Sequence, residues 1–105
     1  MDTSEVIEWI DSSLKDMITR PGFRGGMIPV ELQVMRLLEI RHMLTGTLDK
    51  KNVFKVMADY HDFCKKEFPD EEIIISLWSL VNNDEEKFSR FLSKFVESQI
   101  PGWNS

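Results

Sequence analysis

The sequence predicts an all-α protein, a single compact domain of about five helices with the second at its centre. Three observations lead there. Apolar residues recur at intervals of three and four through most of the chain, and turn signals fall between these runs rather than inside them. No segment alternates in a way that gives a convincing pair of strands. A length of 105 residues with 42% hydrophobic side chains is enough to enclose one core without disulfides or a structural metal. Seven Phe, three Trp and one Tyr set the composition apart from that of a disordered tail.

Residues 2–19 carry Val6, Ile7, Ile10, Leu14, Met17 and Ile18 on one helical stripe. Asp2, Thr3 or Ser4 can cap this helix, with Asp2 and Glu5 at capping-box spacing although Asp stands for the usual Ser or Thr. Trp9 lies off the stripe and is expected to cover the edge of the core, with partner contact as the other reading. The next eleven residues, 19–29, hold two of the four prolines and three of the five glycines. Pro21 must stop the first helix, Gly22 is expected to need a positive φ, and Pro29 suits the first turn of a second helix. That helix, expected over 30–45, is apolar on most of its circumference and is read as central, with a homodimer face as the alternative. Its charges are Glu31, Arg36, Glu39 and Arg41, and Gly46 supplies a stop.

Thr47 or Asp49 is expected to open a third helix whose stripe is Val53, Val56, Met57, Tyr60 and Cys64, widened by Phe54, Phe63 and Phe68. Pro69 ends it. Asp70 is expected to cap a fourth helix reaching Val81, although Ile73, Ile74 and Ile75 also allow a strand. Asn83 and Glu86 have the spacing of a cap for a fifth helix, which buries Phe88, Phe91, Leu92, Phe95 and Val96 before Pro101 and Gly102 end it.

The net charge of −5 argues against a sequence-independent grip on nucleic acid or anionic lipid and favours a basic protein partner. A lone cysteine, Cys64, cannot form an internal disulfide, and no signal-like or membrane-length apolar run is present, so the expected location is cytoplasmic. Two constellations are weighed and set aside. Glu39 and His42 have the Glu-x-x-His spacing of di-iron bundles, but the second pair is missing, since Ala58 stands three positions before His61. His61 and Cys64 share a helix face, where a core cysteine beside a rim histidine is the plainer reading than a nucleophile and its base. No metal, cofactor or catalytic residue is assigned.

Arg20, Arg24, Arg36 and Arg41 form the one locally basic region. They are expected to pair with acids of the first helix, such as Glu5, Glu8 or Asp11, in preference to holding an anion at the second helix N-terminus. The acids Glu67, Asp70, Glu71, Glu72, Asp84, Glu85 and Glu86, with Trp103 near the end, are the candidate partner-binding residues. Solvated helix faces are the default for those acids, and packing back onto the body is the default for Trp103.

The loop Arg20, Pro21, Gly22, Phe23, Arg24, Gly25 and Gly26, followed by a helix closing in Leu44-Thr45-Gly46, is similar to an opening found in small uncharacterised bacterial proteins. Their pattern is Arg-Pro-Gly-Met-Tyr-x-Gly, then a helix ending in Leu-x-Gly-Tyr, an aromatic-rich helix and a C-terminal helix with paired phenylalanines. Phe88, Phe91 and Phe95 agree with the last part, whereas Phe23, Arg24 and Thr47 replace the Met and the two Tyr. A similar Arg-Pro-Gly string occurs in gyrase-type nucleotide-binding domains, whose fold a short helical chain cannot supply. The resembling group includes candidate immunity proteins, and the resemblance implies a chain that neutralises a toxin, for which the acidic charge favours a basic domain. The leading expectation is a non-enzymatic cytoplasmic protein-binding domain of that kind. A structural or regulatory homo-oligomer is the alternative, and an enzyme without a recognised motif ranks third.

Overall fold

Asp2 starts the first helix as its spacing predicts: its Oδ1 accepts the backbone N–H of Glu5 at 3.0 Å. The structure, a computed structural model, describes residues 2–47 and 53–104, the side chain of Arg24 excepted. Helix α1 (Thr3–Thr19) buries Ile10, Leu14, Met17 and Ile18. Pro21 then opens a short 3-10 turn, Pro21–Arg24, and is itself buried. The residues that need left-handed backbone here are Gly25 (φ 89°) and Gly26 (φ 131°), not Gly22, which lies inside the turn at a negative φ. The left-handed backbone thus comes three residues later than expected.

Helix α2 (Met27–Leu44) follows with Pro29 in its first turn and packs against α1, the 3-10 turn and the three later helices. Val30, Val34 and Leu38 are fully buried on it, which gives the central position the sequence predicts. Its apolar circumference is not all enclosed, however, because Ile28, Leu32, Ile40, Met43 and Leu44 remain exposed.

Helix α3 (Lys55–Glu67) begins later than expected, after Phe54, and has no side-chain cap. Thr47 is outside any helix and hydrogen-bonds to His42 and Thr45 instead, while Asp49 lies outside the described residues. Val56, Tyr60 and Cys64 are buried as expected, but Val53, Phe54 and Met57 are not. Tyr60 and Phe63 meet Phe95 with ring centroids 4.8 and 5.5 Å apart.

The fourth helix is much shorter than its expected span from Asp70. Helix α4 is only Leu77–Leu80, capped by Ser76, whose hydroxyl accepts from the Ser79 N–H at 3.2 Å. Three consecutive isoleucines, each stiff at χ1, weigh against helix. The chain alternates instead: Ile73 and Ile75 point outward, Ile74 is half-buried and Ser76 is buried. Asn82 (φ 55°) and Asn83 (φ 60°) both adopt left-handed backbone, which their short polar side chains tolerate, and turn the chain into the last helix. Asn83 is therefore not its cap. Asp84 is, accepting from Lys87 N at 3.0 Å.

Helix α5 (Glu85–Gln99) inserts Phe88, Leu92, Phe95 and Val96 into the core between α1, α2 and α4. Beyond Pro101 and Gly102 the tail is tied back by Glu97, whose carboxylate accepts from Gly102 N at 3.0 Å and Asn104 N at 2.7 Å. Trp103 is only 8% exposed and has the Lys15 ammonium 5.6 Å from its ring. Its position is the packed one, which removes it from the partner-binding set. No helix among the described residues is long and apolar enough to cross a membrane.

Candidate functional site

The other residues singled out for partner binding are distributed over separate elements. Glu67 ends α3 and accepts Lys94 Nζ at 2.6 Å. Asp70, Glu71 and Glu72 are exposed on the connector leading to α4. Asp84 serves as the α5 cap, and Glu85 and Glu86 occupy its first turn beside Thr19 and Pro21. Two of the four arginines of the basic region pair with acids of α1. Arg41 donates to Asp11 at 2.8 and 3.4 Å, and Arg20 to Asp16. Arg20 also places its guanidinium 5.3 Å from the ring of the exposed Phe23. Arg36 is exposed and lines a groove instead, and the side chain of Arg24 lies outside the described residues.

That groove is the feature the acidic runs did not indicate. Three adjoining depressions cross the α1, α2 and α3 side of the molecule. The first, between α1 and α2, is lined by Trp9, Met17, Leu37 and Ile40. The second, between α2 and the entrance of α3, shares Arg36 and Ile40 with it and adds Leu32, Met35, Phe54 and Met57. The third shares Leu32, Met35 and Met57 with the second, and runs between α2, α3 and residues 74–77 as a cavity of about 190 Å³. Trp9, at 59% exposed, borders the groove instead of sealing the core edge. Phe54 at 69% and Ile75 at 78% mark its α3 and connector walls. Exposed apolar groups are ordinary singly, but a contiguous set is the mark of an interaction surface.

A buried carboxylate lies in the wall of the third depression. Glu31 is 3% exposed, and its Oε1 accepts the Tyr60 hydroxyl at 2.5 Å and the Leu77 N–H at 2.7 Å. Its Oε2 has the Trp78 N–H at 3.4 Å. One side chain from α2 thereby joins α3 to the start of α4 and satisfies amide donors that α4 leaves open. Burial, reinforced by the negative charge of Glu31, pushes the Tyr60 hydroxyl far above its ordinary value, so it stays protonated and donates. Burial first, then Glu31, pushes the Cys64 thiol up to about 12. A thiol so held is not a thiolate at neutral pH, and His61, exposed at the rim, faces Asp62 at 3.9 Å. Sequence reasoning missed Glu31 because one glutamate among four charges on an apolar helix gives no sign of being buried. The only local hint was its place amid Ile28, Val30, Leu32 and Val34.

His42 has both ring nitrogens engaged, Nε2 with Gln99 Oε1 at 2.7 Å and Nδ1 with Thr47 Oγ1 at 2.9 Å. Nearby Asp59 accepts from Lys55 at 2.7 Å and Gln99 at 2.8 Å. Burial works to raise the Asp59 pKa, but those two hydrogen bonds and the Lys55 and His42 charges together hold it below the usual value. The described residues contain no group of three or more metal-ligating side chains.

No protein-family model matches this chain, and neither the curated proteins nor the solved structures contain a match.

Proposed function

We propose that the chain is a non-enzymatic protein-binding domain acting in the cytoplasm, and that it engages its partner through the apolar groove across α1, α2 and α3. The observation that carries this is the contiguity of Trp9, Ile40, Leu32, Phe54, Met57 and Ile75, large side chains left in water on one side of the fold. Large apolar anchors in desolvated pockets supply most of the lifetime of a complex, while the net charge of −5 speeds encounter with a basic partner. The resemblance carried by the Arg20 to Gly26 loop makes a basic toxin domain the first partner to try. This moves the interface from the acidic runs to the groove, leaving the acids a steering role.

A photo-crosslinking amino acid placed at Leu32 or at Glu72 tests the assignment in living cells. Cross-links to another protein from position 32, and few from 72, are the expected result. Cross-links only from 72 would return the interface to the acidic connector. The same apolar contiguity favours one second reading, a homo-oligomer closed over the groove. It predicts that mass rises with concentration in sedimentation and that position 32 cross-links only to another copy.

A further inference from the structure

The cavity between α2, α3 and residues 74–77 combines two features that oppose one another. Leu32, Met35, Met57 and Ile75 make it apolar, yet Glu31 contributes a carboxylate with no cation within ion-pair distance among the described residues. Buried charges in proteins are ordinarily paired, because hydrogen bonds alone offset only part of the cost of leaving water. The two oxygens of Glu31 are also unequal. Oε1 has two short donors, whereas Oε2 has one at 3.4 Å and so retains acceptor capacity for a further hydrogen bond.

A ligand that answers both features has an apolar stem and a cationic head. Lysine and arginine side chains have that form: their methylenes lie along apolar surface and their heads seek charge. The cavity, about 190 Å³, exceeds the roughly 150 Å³ that accommodates a benzene ring in a protein core, which leaves room for such a stem. A leucine or phenylalanine anchor would fill the space and leave the carboxylate uncompensated, and an acidic group would be repelled. Charge complementarity acts outside the cavity too, since Glu71 and Glu72 are exposed just before its Ile74 to Leu77 wall and the chain as a whole is acidic.

We infer that this cavity is the receptor for a lysine or arginine side chain of a basic partner protein, with the stem against Leu32, Met35 and Met57 and the head hydrogen-bonded to Glu31 Oε2. The inference rests on the protein-binding reading and gives it a specificity element. Glu31 acts as the selector, the apolar rim as the seat.

The test uses side-chain analogues, n-propylguanidinium and n-butylammonium, with n-pentanol as the neutral control, followed by methyl NMR of Met35 and Met57. Both cations are expected to shift these two methyl signals and to bind about tenfold more tightly than the alcohol, the preference a charge-assisted hydrogen bond supplies. Glu31→Gln should abolish that preference while the alcohol still binds. Because Glu31 also holds α4, a second variant guards the result. Leu32→Trp fills the mouth from an exposed position, should leave the melt unchanged and should lose the cation response at least about tenfold. Equal binding of alcohol and cation, or a cation preference that survives Glu31→Gln in a folded protein, would overturn the inference. Such a failure leaves cross-linking from position 32 intact, whereas failure of the groove reading would appear there first.

Discussion

Helices α1 and α5 are each opened by an aspartate that accepts a backbone N–H three residues on, whereas α2 and α3 start at Gly26 and Phe54 with no side-chain cap. The difference extends to their faces. Stripe residues of α1 and α5 are buried or half-buried with few exceptions, while α2, the entrance of α3 and the isoleucine connector leave Leu32, Met43, Phe54, Met57, Ile73 and Ile75 in water. One half of the molecule is specified by rules that act within a helical turn. The other depends on a long-range tie, Glu31 to Tyr60 and Leu77, across 29 and 46 residues of chain. A region held by a few distant bonds, with apolar groups uncovered, is suited to take part in an interface.

The comparison can be broken most severely at the point where the halves meet. Phe95, from α5, touches both Tyr60 and Phe63 of α3, and Phe95→Ala should cost about 3 to 5 kcal/mol in a urea melt, the range for emptying an aromatic core site. A loss below about 1 kcal/mol would mean that the two halves are not packed as one core.

Glu31→Leu comes next. It leaves the Leu77 N–H and the Tyr60 hydroxyl without an acceptor, and each buried unmade bond costs about 1 to 3 kcal/mol, so a loss of about 2 to 6 kcal/mol is expected. Hydrogen exchange should show the damage in residues 74–81 and not in α1. Uniform loss of protection would contradict the local tie. The same node sets the alkaline limit. Cys64 has a folded pKa of about 12 against an ordinary 9.0, and Tyr60 is raised too, so their contribution is held below the ordinary values. It is lost as pH rises, because unfolded chains ionise first. Cys64→Ala should therefore flatten the fall in stability between pH 9.0 and about 12. An unchanged slope would show that the thiol plays no part.

Asp84→Ala probes the locally specified half and should cost about 1 kcal/mol, the usual value of an N-cap. The smallest effect on folding belongs to the groove: Leu32→Ser should change stability by less than about 0.5 kcal/mol, while cross-linking from the neighbouring position Met57 is lost. Partner capture that survives Leu32→Ser would sharpen the comparison by confining the interface to Trp9 and Ile40.

The parts of the fold that were legible in the sequence are those where the signal is short. Asp2 before an apolar stripe, Pro21 after Thr19 and the phenylalanine spacing of α5 each placed an element correctly. The fourth helix failed because the spacing of Ile74, Leu77, Trp78 and Val81 resembles a helical stripe, although β-branching and the outward turns of Ile73 and Ile75 favour extended chain. The site was less legible still. Apolar residues read as core, which places Phe54 and Met57 inward and Trp9 at the core edge, and only tertiary packing reveals that no element among the described residues covers them. A buried glutamate is invisible to periodicity, since its burial is made possible by donors that arrive from far along the chain.

The three tryptophans occupy three different environments, and the molecule therefore carries its own optical reporters. Trp9 is in water at the groove edge, Trp78 packs against Phe88 at 5.5 Å and Trp103 is buried at the tied-back tail. Emission from Trp9 should lie to the red and be quenched by iodide, while that from Trp103 should lie to the blue and be shielded. A partner seated in the groove would shift the Trp9 component toward the blue and leave Trp103 unchanged, and loosening of the tail would do the opposite. Occupancy of the groove and integrity of the fold are thus separable in a single unlabelled spectrum.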